Sequence, residues 1–452
     1  MIGILPVVSI TLSSAVALVF FYFAVLRKFI SQGESGNRKR VKAKDRTSIL
    51  RMANRRLARN PKDAEALLSL ADLYYEEENF ETSLIHYQKL INLCATNEEL
   101  DEFEITVRHA ISALRIKAYD NAYKNFMIAR SFERTCFELD YNHGYLECIR
   151  KNYEHAAVLL HSASKQRPDF LQTYKYLGIS YGKLGRHTDA IDALKKWLEV
   201  EPADKEARFA VAQSYFHLNQ FELADKLLSQ LRVDPTFGPK ACLFTGTIHI
   251  NKKDYDRAIE NFEIGLRHGT IAPKIAHELK YRLAAAFVRK QDLESAIRLL
   301  REICEVDPKF RDAKNLLSRC KELNANKNLK TFLMASESEF SNLCRELVQG
   351  HFVKASTKIL DITSQKNEFT DILAQVTTRK WEDLILFRFI RTGGTIGDLL
   401  IRDFHGRIKD CKAGRAVCMT PGTFNDSAKA YVEARLIDLI EKEGLLKLFK
   451  RL

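Results

Sequence analysis

With 452 residues, 46% of them hydrophobic and 29% charged, the chain can bury a large core and form more than one domain, which excludes a protein disordered throughout. The formal charge is +13, yet the stretch from Arg27 to Asn60 alone carries twelve Lys or Arg against Glu34 and Asp45, a net of about +10, so the basic character is local. Nine cysteines, an odd number with no C-x-x-C pair among them, exclude a disulfide framework and a zinc ribbon and suit a reducing compartment.

Ile4 to Leu26 reads ILPVVSITLSSAVALVFFYFAVL without one charged side chain. That exceeds the roughly 20 residues needed to cross the hydrocarbon layer as a helix. A cleaved signal peptide is the alternative, but no charged region precedes the run and no small-residue cleavage site follows it. Residues 1–30 are therefore expected to form a transmembrane anchor. The cations Arg27, Lys28, Arg38, Lys39, Arg40, Lys42 and Lys44 all follow the span. By the positive-inside rule the N-terminus faces outward and the rest lies in the cytoplasm, which makes a single-pass inner-membrane protein. Residues 31–48 read as a basic linker suited to anionic lipid headgroups. The same charges would also suit a nucleic-acid-binding arm, but no aromatic residues are interleaved to stack on bases, so the membrane flank is preferred.

From Ile49 to Asn60 the pattern is helical and Pro61 closes it, as in a half repeat or capping helix. A unit then starts near Ala64, with Leu67, Leu70, Ala71, Tyr74, Ser83 and Tyr87. Five more follow without a break, starting at Phe103, Phe137, Leu171, Lys205 and Pro239, and a last one carries Leu283, Ala284, Phe287, Ala296, Leu300 and Pro308. The fullest is Tyr174 to Pro202, with Tyr174, Leu177, Gly178, Tyr181, Ala190, Leu194 and Pro202 in place. Its small residues Gly178 and Ala190 let two helices approach, and Pro202 stops the second because its ring clashes and its nitrogen donates no proton. This spacing resembles the tetratricopeptide repeat (TPR), a unit of about 34 residues forming two antiparallel helices. Residues 49–323 are thus expected to be an α-solenoid of about seven repeats, capped by the helix Arg311 to Leu323, with a polar linker at 324–335.

The resemblance implies a concave groove made from the first helix of each repeat, where TPR proteins bind peptides or helices of protein partners. The corresponding positions are Tyr141, Tyr145, Lys175, Ile179, Phe209, Gln213, Phe216, Phe244 and Ile250, an apolar and aromatic wall with isolated polar points. Lys175 stands where TPRs that grip a chaperone's terminal carboxylate place a clamp residue, but Ile179, Ala210 and Gln213 break that set. Each aromatic also suits packing between adjacent repeats.

From about Ser336 the repeat periodicity ends and a small α/β domain, 336–452, is expected. Helices are predicted at Glu339–Val348, Phe352–Thr363, Ile396–Lys412, Asp426–Ala434 and Glu443–Leu452, with strands at Leu384–Arg391, Ala416–Thr420 and Leu436–Ile440. The run GRAVCMTPGTFNDSAKAYVEARLIDLIEKEGLLKLF, Gly414 to Phe449, resembles the C-terminal half of the methyl-directed (Mrr-type) restriction endonucleases. Active members of that family carry an Asp and, on the next strand, Gln-x-Lys or Glu-x-Lys, holding Mg²⁺ and orienting the attacking water. Here the strand Leu384 to Arg391 offers Arg388 and Ile390 instead, with Asp383 as a lone remnant. Asp410-Cys411-Lys412 matches D-x-K only as a string at a helix end, and Thr392 to Gly397 lacks the Gly-Lys-Ser/Thr ending of a phosphate loop. Asp403 and His405, two apart on one helix, do not face each other, and His143 and His155 lack a third ligand.

The sequence therefore describes a mainly α protein: an anchor, a TPR solenoid and a degenerate restriction-endonuclease-like domain. The function expected is a non-catalytic scaffold binding protein partners, with no cofactor, metal or catalytic residue. The alternative is a membrane-tethered DNA-binding protein or Mg²⁺-dependent endonuclease acting through the C-terminal domain.

Overall fold

The computed structural model describes residues 43–352, 354–365 and 368–452. The expected anchor at 1–30 and residues 31–42 of the expected linker lie outside them. No helix among the described residues is long and apolar enough to cross a membrane. The chain divides into two compact units at Ala224/Asp225.

Among the described residues, the first unit holds helices and no strands. Its helices are α1 (Ala43–Arg59), α2 (Ala64–Glu76), α3 (Phe80–Cys94), α4 (Glu102–Arg115), α5 (Tyr119–Ser131), α6 (Phe137–Ile149), α7 (Tyr153–Gln166), α8 (Gln172–Lys183), α9 (His187–Val200), α10 (Lys205–His217) and the start of α11 (Phe221–Ser229). Helix α1 begins inside the stretch expected as linker, so residues 43–48 are helical; AKDRTS continues into an Arg- and Leu-rich run with no Gly or Pro to stop it.

The turn between the two helices of a repeat is the same each time. Lys117, Lys151, Gly185, Asn219 and Lys253 follow one another at 34-residue steps, and all have positive φ, as do Glu78 before them and Gln291 after them. Seven turns of one conformation mark seven repeats. Inside a repeat the helices close on a missing side chain: a Cβ at Gly178 would lie 2.6 Å from Leu194 Cγ and 3.0 Å from the Ala190 carbonyl. Ala190 and Leu194 are themselves fully buried there.

The second unit continues with α12 (Gly238–Asn251), α13 (Tyr255–Leu266), α14 (Pro273–Arg289), α15 (Leu293–Val306) and α16 (Ala313–Ala325). The stretch 324–335 is not a linker: Lys327–Met334 forms helix α17, with Asn326 capping it by accepting from Leu329 N. Leu329 and Phe332 sit three apart on one face and enter a core shared by Leu323 of α16 and Phe340, Phe389 and Phe449 of the α/β domain. Polar Asn and Lys residues on the opposite face disguise this in the sequence.

The α/β domain follows as α18 (Glu337–His351), β1 (Ser356–Gln365), β2 (Phe369–Thr377), β3 (Glu382–Ile390), β4 (Thr395–Ile396), α19 (Asp398–Asp410), β5 (Arg415–Met419), β6 (Thr423–Phe424), α20 (Asp426–Val432), β7 (Ile437–Ile440) and α21 (Lys442–Phe449). The helix predicted over Phe352–Thr363 is instead the edge strand β1, and β2 was not anticipated. The main sheet runs β1-β2-β3-β5-β7, its first three strands antiparallel and its last three parallel. Strand β3 alternates between two layers, as its period of two requires. Ile385, Phe387 and Phe389 face α18 and α21, while Leu386 and Ile390 face α19 and α20. Arg388 belongs by register to the second face.

Candidate functional site

The nuclease-like position is built where β2 and β3 pair. Asp371 and Arg388 are direct neighbours across the antiparallel ladder. Arg388 Nε donates to Asp371 Oδ1 and Nη2 to Asp371 Oδ2, each at 2.7 Å, and Nη1 donates to Asp403 Oδ2 of α19 at 2.6 Å. The fork of the guanidinium matches the carboxylate, which makes this a two-point, charge-assisted contact. Arg388 and Asp371 expose only 2% and 4% of their side chains, whereas Asp403 exposes 64%. The guanidinium carbon also lies 3.8 Å from the Phe369 ring centre and 4.9 Å from that of Phe404. Burial works against the charge of Arg388, but the hydrogen bonds and charges of Asp371 and then Asp403 outweigh it, and its pKa is raised.

Asp383, read as the remnant carboxylate, is on the wrong strand and at the wrong end. It is the second residue of β3, five residues from Arg388 and so about 16 Å away along an extended strand. Its Oδ1 accepts from Leu384 N at 2.9 Å, and it packs against Gly414. Asp371 is the acidic residue next to the second-ligand position, and it was missed because β2 was missed. The run FTDILAQV alternates only in part: Ile372, Ala374 and Val376 enter one core, while Asp371 shares the other face with Phe369 and Leu373. Asp403, set aside with His405, belongs to the site, while His405 turns elsewhere, with Nδ1 2.9 Å from the Tyr431 hydroxyl. Asp410 ends α19 and Lys412 follows at positive φ, as a surface turn.

A divalent cation does not fit these residues. Mg²⁺ requires several oxygen ligands in near-octahedral array. Both Asp371 oxygens already accept from a cation, the second-ligand position is that cation, and Ile390, at the lysine position, is buried among Ile396, Ile401 and Phe404. Among the described residues no group of three or more His, Cys, Asp or Glu is placed to hold a metal ion.

The groove positions of the first unit fall on consecutive first helices. Tyr141 of α6 is buried, stacked on Phe137 at 5.6 Å and edge-on to Phe170 at 5.0 Å. It is inter-repeat core, and burial pushes its hydroxyl pKa upward. Tyr145, one turn on, is half-buried with its ring centre 4.6 Å from that of Tyr176. Burial, and then Tyr145, push the Tyr176 hydroxyl up to about 12. On α8, Ile179 is half-buried; on α10, Phe209 is buried while Gln213 and Phe216 are half-buried. Phe244 lies on α12 in the second unit, half-buried, with Ile250 on the same helix.

Lys175 is not an isolated charge on this wall. Its Nζ lies 2.8 Å from Asp204 Oδ2 and 3.0 Å from Glu206 Oε2. Asp204 in turn caps α10 by accepting from Ala207 N, and accepts from Trp197 Nε1 at 2.9 Å. The lysine therefore holds α8 to α10 and is spoken for.

A tetratricopeptide-repeat family model matches residues 50–98, 177–232 and 245–317. A restriction endonuclease family model matches residues 332–449. The chain carries tetratricopeptide repeats and a C-terminal domain of the restriction endonuclease type. Among curated proteins, the peroxisomal targeting signal receptor of Saccharomyces cerevisiae is 24% identical over 230 residues, 49% of this chain and 35% of the receptor. A BBSome complex member, the BBS4 homologue of Drosophila melanogaster, is 27% identical over 139 residues, 30% of this chain and 28% of the relative. The chain thus spans about a third of each relative's length. Among solved structures, the C-terminal part of a TPR protein from Cytophaga hutchinsonii aligns with a TM-score of 0.41 at 17% identity, covering 54% of this chain and 97% of that one. The repeats point to a protein-interaction scaffold, and the endonuclease-type domain is present beside them.

Proposed function

We propose that this TPR protein is a scaffold that holds a protein partner on the first helices of its repeats, and that its endonuclease-type domain hydrolyses nothing. The observation that carries the reading is the half-buried row of Tyr145, Ile179, Gln213 and Phe216 on α6, α8 and α10, an apolar surface with one polar point. An extended or helical segment suits such a row. The names of the two curated relatives, a targeting-signal receptor and a member of a complex, support a protein partner. A photoreactive residue in place of Tyr145 or Phe216 should capture the same protein from both positions. One in place of Val158, which is 69% exposed on the second helix of its repeat, should not. Equal capture at Val158 would remove the groove from the reading.

The non-hydrolytic reading is supported by Arg388 and Ile390 at the ligand and lysine positions. Its rival, a tethered DNA-binding protein or Mg²⁺-dependent endonuclease, is supported by the family match over 332–449. In the same proposal Ile4 to Leu26 anchors the chain in the inner membrane, with the repeats in the cytoplasm. Protease added to inverted membrane vesicles should then digest the repeats, and protected repeats would reverse the topology.

A further inference from the structure

Asp371 of β2 and Asp403 of α19 converge on Arg388 of β3, and carboxylates held together need a counter-charge. In this chain that charge is covalently part of the sheet. Arg388 meets both oxygens of Asp371 and one of Asp403, and so ties β2, β3 and α19 at a single point. Phe369 and Phe404 lie against the guanidinium. We infer that Arg388 is a resident cation that has taken over the charge-neutralising role of a divalent metal, so that the domain holds its acidic residues without any metal ion. A bound divalent ion would have to displace a two-point ion pair and then sit beside the displaced guanidinium, which like-charge repulsion opposes. The exclusion is therefore local to one side chain. With the guanidinium replaced by a neutral amide, Asp371, Asp403 and the amide oxygen become three oxygen donors on facing elements, the ligand type that Mg²⁺ and Mn²⁺ take.

This inference rests on the non-hydrolytic reading of the domain, and its test follows metal binding instead of cleavage so that the two fail separately. The full chain is titrated with Mn²⁺, free ion being followed by electron paramagnetic resonance, and melted in chelator and in excess Mg²⁺. The wild type should show no Mn²⁺ uptake that Asp371→Asn removes, and the same melting temperature in both conditions. Arg388→Gln should take up Mn²⁺ where the wild type takes up none. Its melting temperature should fall in chelator and recover in part with Mg²⁺. Both effects should vanish in Arg388→Gln/Asp371→Asn. Arg388→Lys, which keeps a positive charge, should remain indifferent to metal.

Asp371-dependent Mn²⁺ uptake by the wild type overturns the inference, as does a folded Arg388→Gln that binds no metal. Should Arg388→Gln fail to fold, the wild type and Arg388→Lys decide. Metal indifference in both supports the resident cation, and Asp371-dependent uptake in either contradicts it.

Discussion

Arg388 ties β2, β3 and α19 together at one buried point. Its charge is buried and worth little as net stability while the pair is intact, since desolvation offsets most of the attraction. Removing one partner is a different matter, because the other is left charged and enclosed. Arg388→Ala should lose about 3–5 kcal/mol by urea unfolding of the full chain followed at Trp381 in a Trp197→Phe background. Asp371→Ala should be costly for the same reason, and the double substitution should cost clearly less than the sum of the two. Additive losses in this cycle would mean that the pair is not coupled, against the geometry. From the sequence, the absence of Gln-x-Lys was legible on Leu384–Arg391. The partner of Arg388 was not, because nothing local links residues 17 apart until the strand between them is known.

Helices are the scale at which Lys175 acts. It joins α8 to the N-terminus of α10 through Asp204 and Glu206. Burial opposes the charge on Lys175, but the hydrogen bonds of Asp204 and Glu206 win and its pKa is raised; burial opposes that of Asp204, but Lys175 wins and its pKa is lowered. A lowered carboxylate contributes stability above its unfolded pKa of about 3.9 and loses it as pH falls through the folded value. A raised lysine contributes below about 10.4 and loses it as pH rises through the folded value. The stability gap between wild type and Lys175→Met, measured by thermal melting, should therefore be constant between about pH 5 and pH 10 and shrink outside that window. A gap unchanged at pH 3 would show that the ion pair does not carry it. Lys175→Glu would set a third carboxylate against two others, so it tests the repeat joint and not a partner.

The elements differ in how plainly the sequence announces them. Repeats announce themselves because Gly178, Ala190, Leu194 and Pro202 each answer a separate requirement at a fixed interval. Strand β1 misleads for a physical reason. The register shifts between Ile359 and Asp361, so the bulge at Leu360 breaks strict alternation. Ile359 and Ile362 then pack on the same core although three residues apart, which is helical spacing in a strand. Helix α17 hides its Leu329 and Phe332 among lysines and asparagines in the same way.

At the scale of the molecule, the proposed reading gives the repeats a binding surface and gives the endonuclease-type domain an arginine, Arg388, where a metal ligand is expected. The central claim is that this chain works by binding and not by cutting. The most direct test is to incubate the purified full chain with supercoiled plasmid in Mg²⁺ and in Mn²⁺, beside Asp371→Asn. The account predicts intact plasmid with both proteins and both metals. Nicking or linearisation by the wild type that Asp371→Asn abolishes would contradict it.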